Sequence, residues 1–115
     1  MMNDNTRKWI EALRSGEFEQ GQGALRKGNQ YCCLGVACEL YRREHPDSVA
    51  WDLIGLNMTF YGKHSTLPIR VRDWIGLRTI DGSYQRVSLI NMNDDGYTFE
   101  EIADVIESEP EGLFR

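Results

Sequence analysis

Seven apolar residues stand in an unbroken row from Cys32 to Cys38, in a chain of 115 residues. The row is far short of the ~20 residues that cross a bilayer, so the chain's own side chains must cover it. From Cys33 to Glu44 the pattern is apolar on more than one face early (Leu34, Val36, Ala37, Cys38, Leu40, Tyr41). It turns charged at Arg42-Arg43-Glu44 and meets Pro46, which forbids continuation. This predicts a helix whose first two turns are buried, with the rest of the chain arranged around it. The length suffices for one compact domain and not for two, so residues 1–115 read as a single globular domain.

The flanking segments are short. Trp9, Ile10 and Leu13 lie one turn apart, Thr6 offers a capping hydroxyl and Gly16 a left-handed stop, which predicts a helix over 6–15. Glu17 to Tyr31 is punctuated by Gly21, Gly23 and Gly28, and Lys27-Gly28-Asn29 suits a tight turn between two short strands. Residues 47–66 have no clean period. Trp51, Ile54, Leu56, Phe60 and Tyr61 are expected to bury there, with turns at Gly55 and Gly62. Ser65 or Thr66 can cap a helix with Pro68 in its first turn, Leu67, Val71, Trp74 and Ile75 on one stripe and Gly76 as terminator. Asp81-Gly82 favours a two-residue hairpin turn, while Val87, Leu89 and Ile90 fit a strand and a short helix equally.

Thr98 and Glu101 form a capping box, followed by Phe99, Ile102, Ala103 and Ile106 at helical spacing, which predicts a helix over 98–107. Burying that stripe is worth about 1.5–3 kcal/mol per large side chain, with Glu100, Asp104 and Glu107 left facing water. Gly112-Leu113-Phe114 is expected to tuck an apolar end into the core. The sum is an α+β domain, a small antiparallel sheet of β-hairpins flanked by four or five short helices.

Charge narrows the partners. Residues 1–50 carry seven cations and seven anions, 51–88 five and three, and 89–115 one and eight, for a net −5. Such a surface disfavours double-stranded DNA, whose binding is driven by cations on phosphate. The polar start, Asn3-Asp4-Asn5-Thr6, lacks the order of a secretion signal, so a soluble cytoplasmic protein without membrane attachment is expected. The odd cysteine count, three within seven residues, argues for reduced thiols.

Several patterns bear on chemistry. A thiol at a strand-to-helix junction meets unpaired amides that favour a thiolate. Cys33-Leu34-Gly35 resembles the Cys-x-Gly of NlpC/P60-type cysteine peptidases, which implies a papain-like hydrolase with Cys33 as nucleophile and His64 as its imidazole. Cys32 stands where that family usually has Asp. The bland alternative is that the cysteines are packing material. Cys32, Cys33, Cys38 and His45 lack the paired spacing of a zinc site, so no metal is assigned. Asn91 to Gly96 imitates half a calcium loop, but Ile102 falls where the bidentate acid belongs, leaving a tight acidic turn as the better reading. Thr98 to Ala103 suits the first helix of a helix-turn-helix, yet Pro110 and Gly112 leave no recognition helix. The Gly21-x-Gly23 hairpin brings amides and a cation together without a Walker motif.

Taken together, Trp9 to Gly16, Gln20-Gly21-x-Gly23-x-Leu25, Cys32-Cys33-Leu34-Gly35-Val36-x-Cys38, Leu67-Pro68-x-x-Val71-x-x-Trp74-Ile75-Gly76-Leu77 and Asn93-Asp94-x-Gly96-x-Thr98-Phe99-x-x-Ile102-Ala103 resemble a family of small uncharacterised proteins of tailed phages and prophages. The resemblance implies a protein of the infected cell's cytoplasm, with no catalytic set or cofactor to carry over. The expectation is a non-enzymatic accessory protein that binds a small anionic, nucleotide-like ligand or a host protein and so antagonises host defence. Gln20, Gln22, Arg26, His64 and Arg70 are the expected ligand-binding residues, because amides and cations suit a small polar anion. A homo-oligomeric structural component is the remaining alternative.

Overall fold

In the computed structural model, which describes residues 2–48, 50–55 and 57–115, the apolar row becomes the start of α2 (Cys33–Glu44), and Cys32 to Cys38 are all buried. The segment before it crosses the first turn at close range. A Cβ on Gly35 would lie 1.8 Å from the carbonyl oxygen of Leu25, so only glycine fits. That carbonyl accepts the Cys32 amide proton at 3.1 Å, and the Leu25 amide donates to the His64 carbonyl at 2.6 Å.

Around α2 stand α1 (Asp4–Arg14), α3 (Ile69–Ile75), α4 (Leu89–Asp94) and α5 (Phe99–Glu107). α1 packs on α2, α3 and α5, and α2 also touches α3 and α4. Trp9, fully buried, donates its indole N–H to the Cys33 carbonyl at 2.8 Å. The cap of α1 is Asn3 and not Thr6. Thr6 is the reciprocal partner in a capping box, and its hydroxyl reaches on to the Ile75 carbonyl at 2.7 Å. The Asn3 and Asn5 amides donate to the Trp74 carbonyl, so the start of α1 satisfies the orphan carbonyls at the end of α3. α3 stops at Gly76 in a left-handed conformation (φ 78°), as its sequence demands.

α5 has the predicted capping box at Thr98 and Glu101. Its outer acids do not simply face water: Glu100, Asp104 and Glu107 all converge on Arg14 of α1. The chain end tucks in, with Leu113 fully buried and Phe114 bridged to Leu77.

The strands are shorter and more mixed than the pattern suggests. β1 (Glu19–Gln20), β2 (Arg26–Lys27) and β3 (Gln30–Tyr31) form a sheet in the order β1-β3-β2. β2 and β3 are the expected hairpin about Gly28, but β1 lies parallel to β3, a non-local pairing that no turn residue announces. β4 (Asp52–Ile54) and β5 (Asn57–Thr59) make a second hairpin, with β5 packed beside β2. Phe60 is buried as expected and Trp51 and Tyr61 are half-buried, whereas Ile54 is exposed; Leu56 lies outside the described residues. β6 (Ser83–Tyr84) and β7 (Val87–Ser88) form the third hairpin. Its turn is at Gln85-Arg86 and not at Asp81-Gly82, because Gly82 must sit against Leu89, where a Cβ would clash at 2.8 Å. Val87 to Ile90 divides between strand and helix, β7 ending where α4 begins.

Candidate functional site

The cysteine elbow is sealed. Cys32 caps α2, its sulfur accepting the Gly35 amide proton at 3.4 Å, yet burial outweighs that stabilisation and pushes the thiol up to about 11. Cys33 is fully buried, donates its S–H to the Leu89 carbonyl at 3.6 Å, and is held well above the ordinary thiol value by burial, as is Cys38. His64, the imidazole a hydrolase would need, is exposed, and no hydrogen bond joins it to Cys33 among the described residues. The accessible thiolate and adjacent base that hydrolysis requires are therefore not assembled; helix-terminal amides alone do not overcome desolvation. Iodoacetamide at mildly alkaline pH is expected to leave the native chain unlabelled and to label all three thiols in denaturant, as read by intact mass.

The five expected ligand-binding residues do not form one cluster. Gln20 spends its amide inward, donating to Asn93 Oδ1 at 2.8 Å and to the Tyr97 carbonyl at 2.7 Å. Gln22 is exposed on the adjoining turn. Arg70, on α3, lies with its guanidinium 5.0 Å from the centre of the Tyr61 ring, and the His64 backbone anchors Leu25 while its residue faces solvent. No hydrogen bond or ring contact links any two of the five among the described residues.

Arg26 is the member with a built environment. Its guanidinium lies 5.0 Å from the Tyr31 ring centre and 5.4 Å from that of Trp51, and its Nε donates to the Gly28 carbonyl at 2.7 Å. Stacking and that one bond fix the fork and leave its terminal nitrogens without a partner among the described residues. Trp51 is fixed in turn. Its indole N–H donates to Glu39 at 3.0 Å, and Glu39 also takes a bidentate pair from Arg42 and one bond from Arg43. Burial alone would raise that carboxyl, but Arg42, the Trp51 indole and Arg43 together hold it at about 2, so it stays charged and keeps Trp51 in place.

Directly after Trp51 comes β4, with Leu53 and Ile54 exposed by 67% and 60%. Neighbouring strand residues face opposite ways, so neither face of this hairpin is covered at that point. A two-stranded hairpin is marginal by itself. These residues escape sequence reasoning because apolar content is read as core. The only signal was the missing period across 47–66.

A family model described as Domain of unknown function (DUF8296) matches residues 1–110. No curated protein and no solved structure matches the chain.

Proposed function

We propose that this chain, which belongs to the DUF8296 family, works by holding a protein partner on the surface formed by Arg26, Trp51 and Leu53, and carries out no bond-making chemistry. The observation that supports this most is an uncovered aliphatic side chain, Leu53, two residues along the chain from Trp51, which carries a pre-positioned guanidinium. Arg and Trp are the side chains that dominate binding energy at protein interfaces, and a rigid cation loses little entropy on engagement. Arg26 supplies the cation of the surface, so the matching partner is apolar with a carboxylate placed to meet the guanidinium. The resemblance to small tailed-phage proteins supplies the setting, in which the partner is a host protein, one acting in defence. The small anionic ligand is the less favoured occupant here, because the exposed Leu53 offers it nothing to bind.

Panning a random peptide library on the immobilised full chain tests this. Enriched peptides are expected to join aliphatic or aromatic residues with Asp or Glu. Arg26→Ala is expected to weaken them by about 1.5–3 kcal/mol, the range for a charge-assisted hydrogen bond. Leu53→Asp should do at least as much, and Val87→Asp, at another exposed aliphatic, nothing. Peptides that bind the Arg26 and Leu53 variants as tightly as the native chain would remove the surface from consideration.

A further inference from the structure

The β6–β7 hairpin turns through Gln85 (φ 46°) and Arg86 (φ 74°), two adjacent residues with side chains in the left-handed region. A two-residue hairpin turn with positive φ at both central residues, type I′, is supplied without strain by Asn-Gly or Gly-Gly. Here it is met by residues whose Cβ atoms make that conformation strained. Strain of this kind persists where the surroundings over-determine it, and those surroundings are present. The Gln85 side-chain amide donates to the Glu111 carbonyl at 3.1 Å, tying the turn to the chain end, where the Arg78 Nε also donates to the Gly112 carbonyl at 2.7 Å.

The strained turn forms the wall of a depression of about 290 Å³, whose lining includes Arg78, Asp81, Tyr84, Arg86 and Asn91. Its charge is opposite to that of the molecule. Two guanidiniums face a single carboxylate, in a chain of net −5. The carboxylate is already engaged: Asp81 Oδ1 accepts from the Thr79 hydroxyl at 3.0 Å, from the Ser83 amide at 3.1 Å and from the Ser83 hydroxyl. Those hydrogen bonds override its burial and keep it below the ordinary carboxylate range, so it is a fixed part of the floor. The Arg86 guanidinium and the Asn91 side-chain amide, by contrast, have no protein partner among the described residues, and Arg78 offers its terminal nitrogens beyond the bond from Nε. Forked cations and an amide converging on one hollow are donors in search of tetrahedral oxygens.

We propose that this depression is a binding site for a small phosphate monoester, with Arg86 and Arg78 taking the phosphate oxygens, Asn91 contributing an amide donor and Tyr84 lying alongside the esterified group. The volume suits a ligand the size of a mononucleotide. The site is independent of the Arg26 surface, and neither depends on the other's occupancy. The strain at Arg86 has a reason under this assignment: the left-handed turn aims a long cation into the hollow, which glycine would leave empty.

Arg86→Gly separates binding from folding, because it removes the guanidinium and relaxes the turn at once. The full-length chain, labelled with nitrogen-15, is titrated with inorganic phosphate and with adenosine 5′-monophosphate while its amide and arginine Nε signals are followed. Saturable shifts centred on Arg78, Arg86 and Asn91 are expected, tighter for the nucleotide, with Arg26 unmoved. Arg86→Gly is expected to melt no lower than the native chain and to lose about tenfold or more in affinity; Arg78→Ala should lose as much. Linear shifts spread over all the arginines, or a folded Arg86→Gly chain that binds both probes like the native one, would overturn the proposal. Should Arg86→Gly fail to fold, Arg78→Ala and Asn91→Ala decide by the same criterion.

Discussion

Gly35→Ala is expected to leave the chain unable to hold its native state, or to cost about 3 kcal/mol or more where it still folds. On helix propensity alone the change would gain up to about 1 kcal/mol, since glycine inside a helix is less favourable than alanine by that amount. The clash decides the sign. The new Cβ would stand 1.8 Å from the Leu25 oxygen and 2.7 Å from its carbonyl carbon, both backbone atoms that no rotamer change can move. Shifting Leu25 away breaks its bonds to Cys32 and to His64 and drags β2, which starts at the next residue. Shifting α2 away breaks the Trp9 indole bond to Cys33 and the Cys33 amide bond to Asn93. Either route empties part of a close-packed core. Urea unfolding followed by tryptophan fluorescence measures the loss; a midpoint at or above the native one would mean that the Leu25 backbone yields freely.

That glycine also marks how far the sequence could be read. The elements whose cause is local were legible. α2 has an apolar row and a proline stop, α5 a capping box with its stripe, α3 a proline start and a glycine end, and each lies within a few residues of its expected limits. The β2–β3 hairpin follows likewise from Gly28, and the α+β class follows from the sum. What was illegible depends on distant partners. The parallel pairing of β1 with β3 carries no turn signature, and the Asp81-Gly82 pair looks like a hairpin turn until Leu89 is seen to need the space. The candidate site divides in the same way. Arg26 was visible as a cation beside glycines, but the platform beneath it, Trp51 braced by Glu39, joins segments with no shared motif. Leu53 and Ile54 could not be distinguished from core residues by composition, since an aliphatic side chain looks the same whether this chain or another molecule covers it.

Asn93→Ala is the second substitution with a large expected effect, a loss of about 3–5 kcal/mol, because two backbone groups of the core lose their partner at once and each unmet group costs about 1–3 kcal/mol. In the sequence Asn93 reads as one oxygen among several in an acidic turn. In the fold it is fully buried. Its Oδ1 accepts the Cys33 amide proton at 3.1 Å and the Gln20 side chain at 2.8 Å, while its amide donates to the Gly21 carbonyl at 2.7 Å. One side chain thus fastens the start of α2, the glycine turn and α4 together. The neighbouring Asp94 adds the Gly23 amide at 2.9 Å. Asn93→Asp keeps the shape and the acceptor but loses the donor to Gly21, and it buries a carboxyl beside Asp94. Burial and that like charge raise its folded-state pKa above the unfolded value of about 3.9, so its destabilisation is least below that pH and grows as the pH rises through the folded value. The native chain responds in the opposite sense. Glu39, held at about 2, contributes stability above the ordinary carboxylate range that is lost as the pH falls toward 2. Denaturant midpoints should therefore rise with pH from 3 to about 5 and then level off for the native chain, and rise less, or fall, for Asn93→Asp. Parallel curves for the two would place the Asn93 side chain outside the core network.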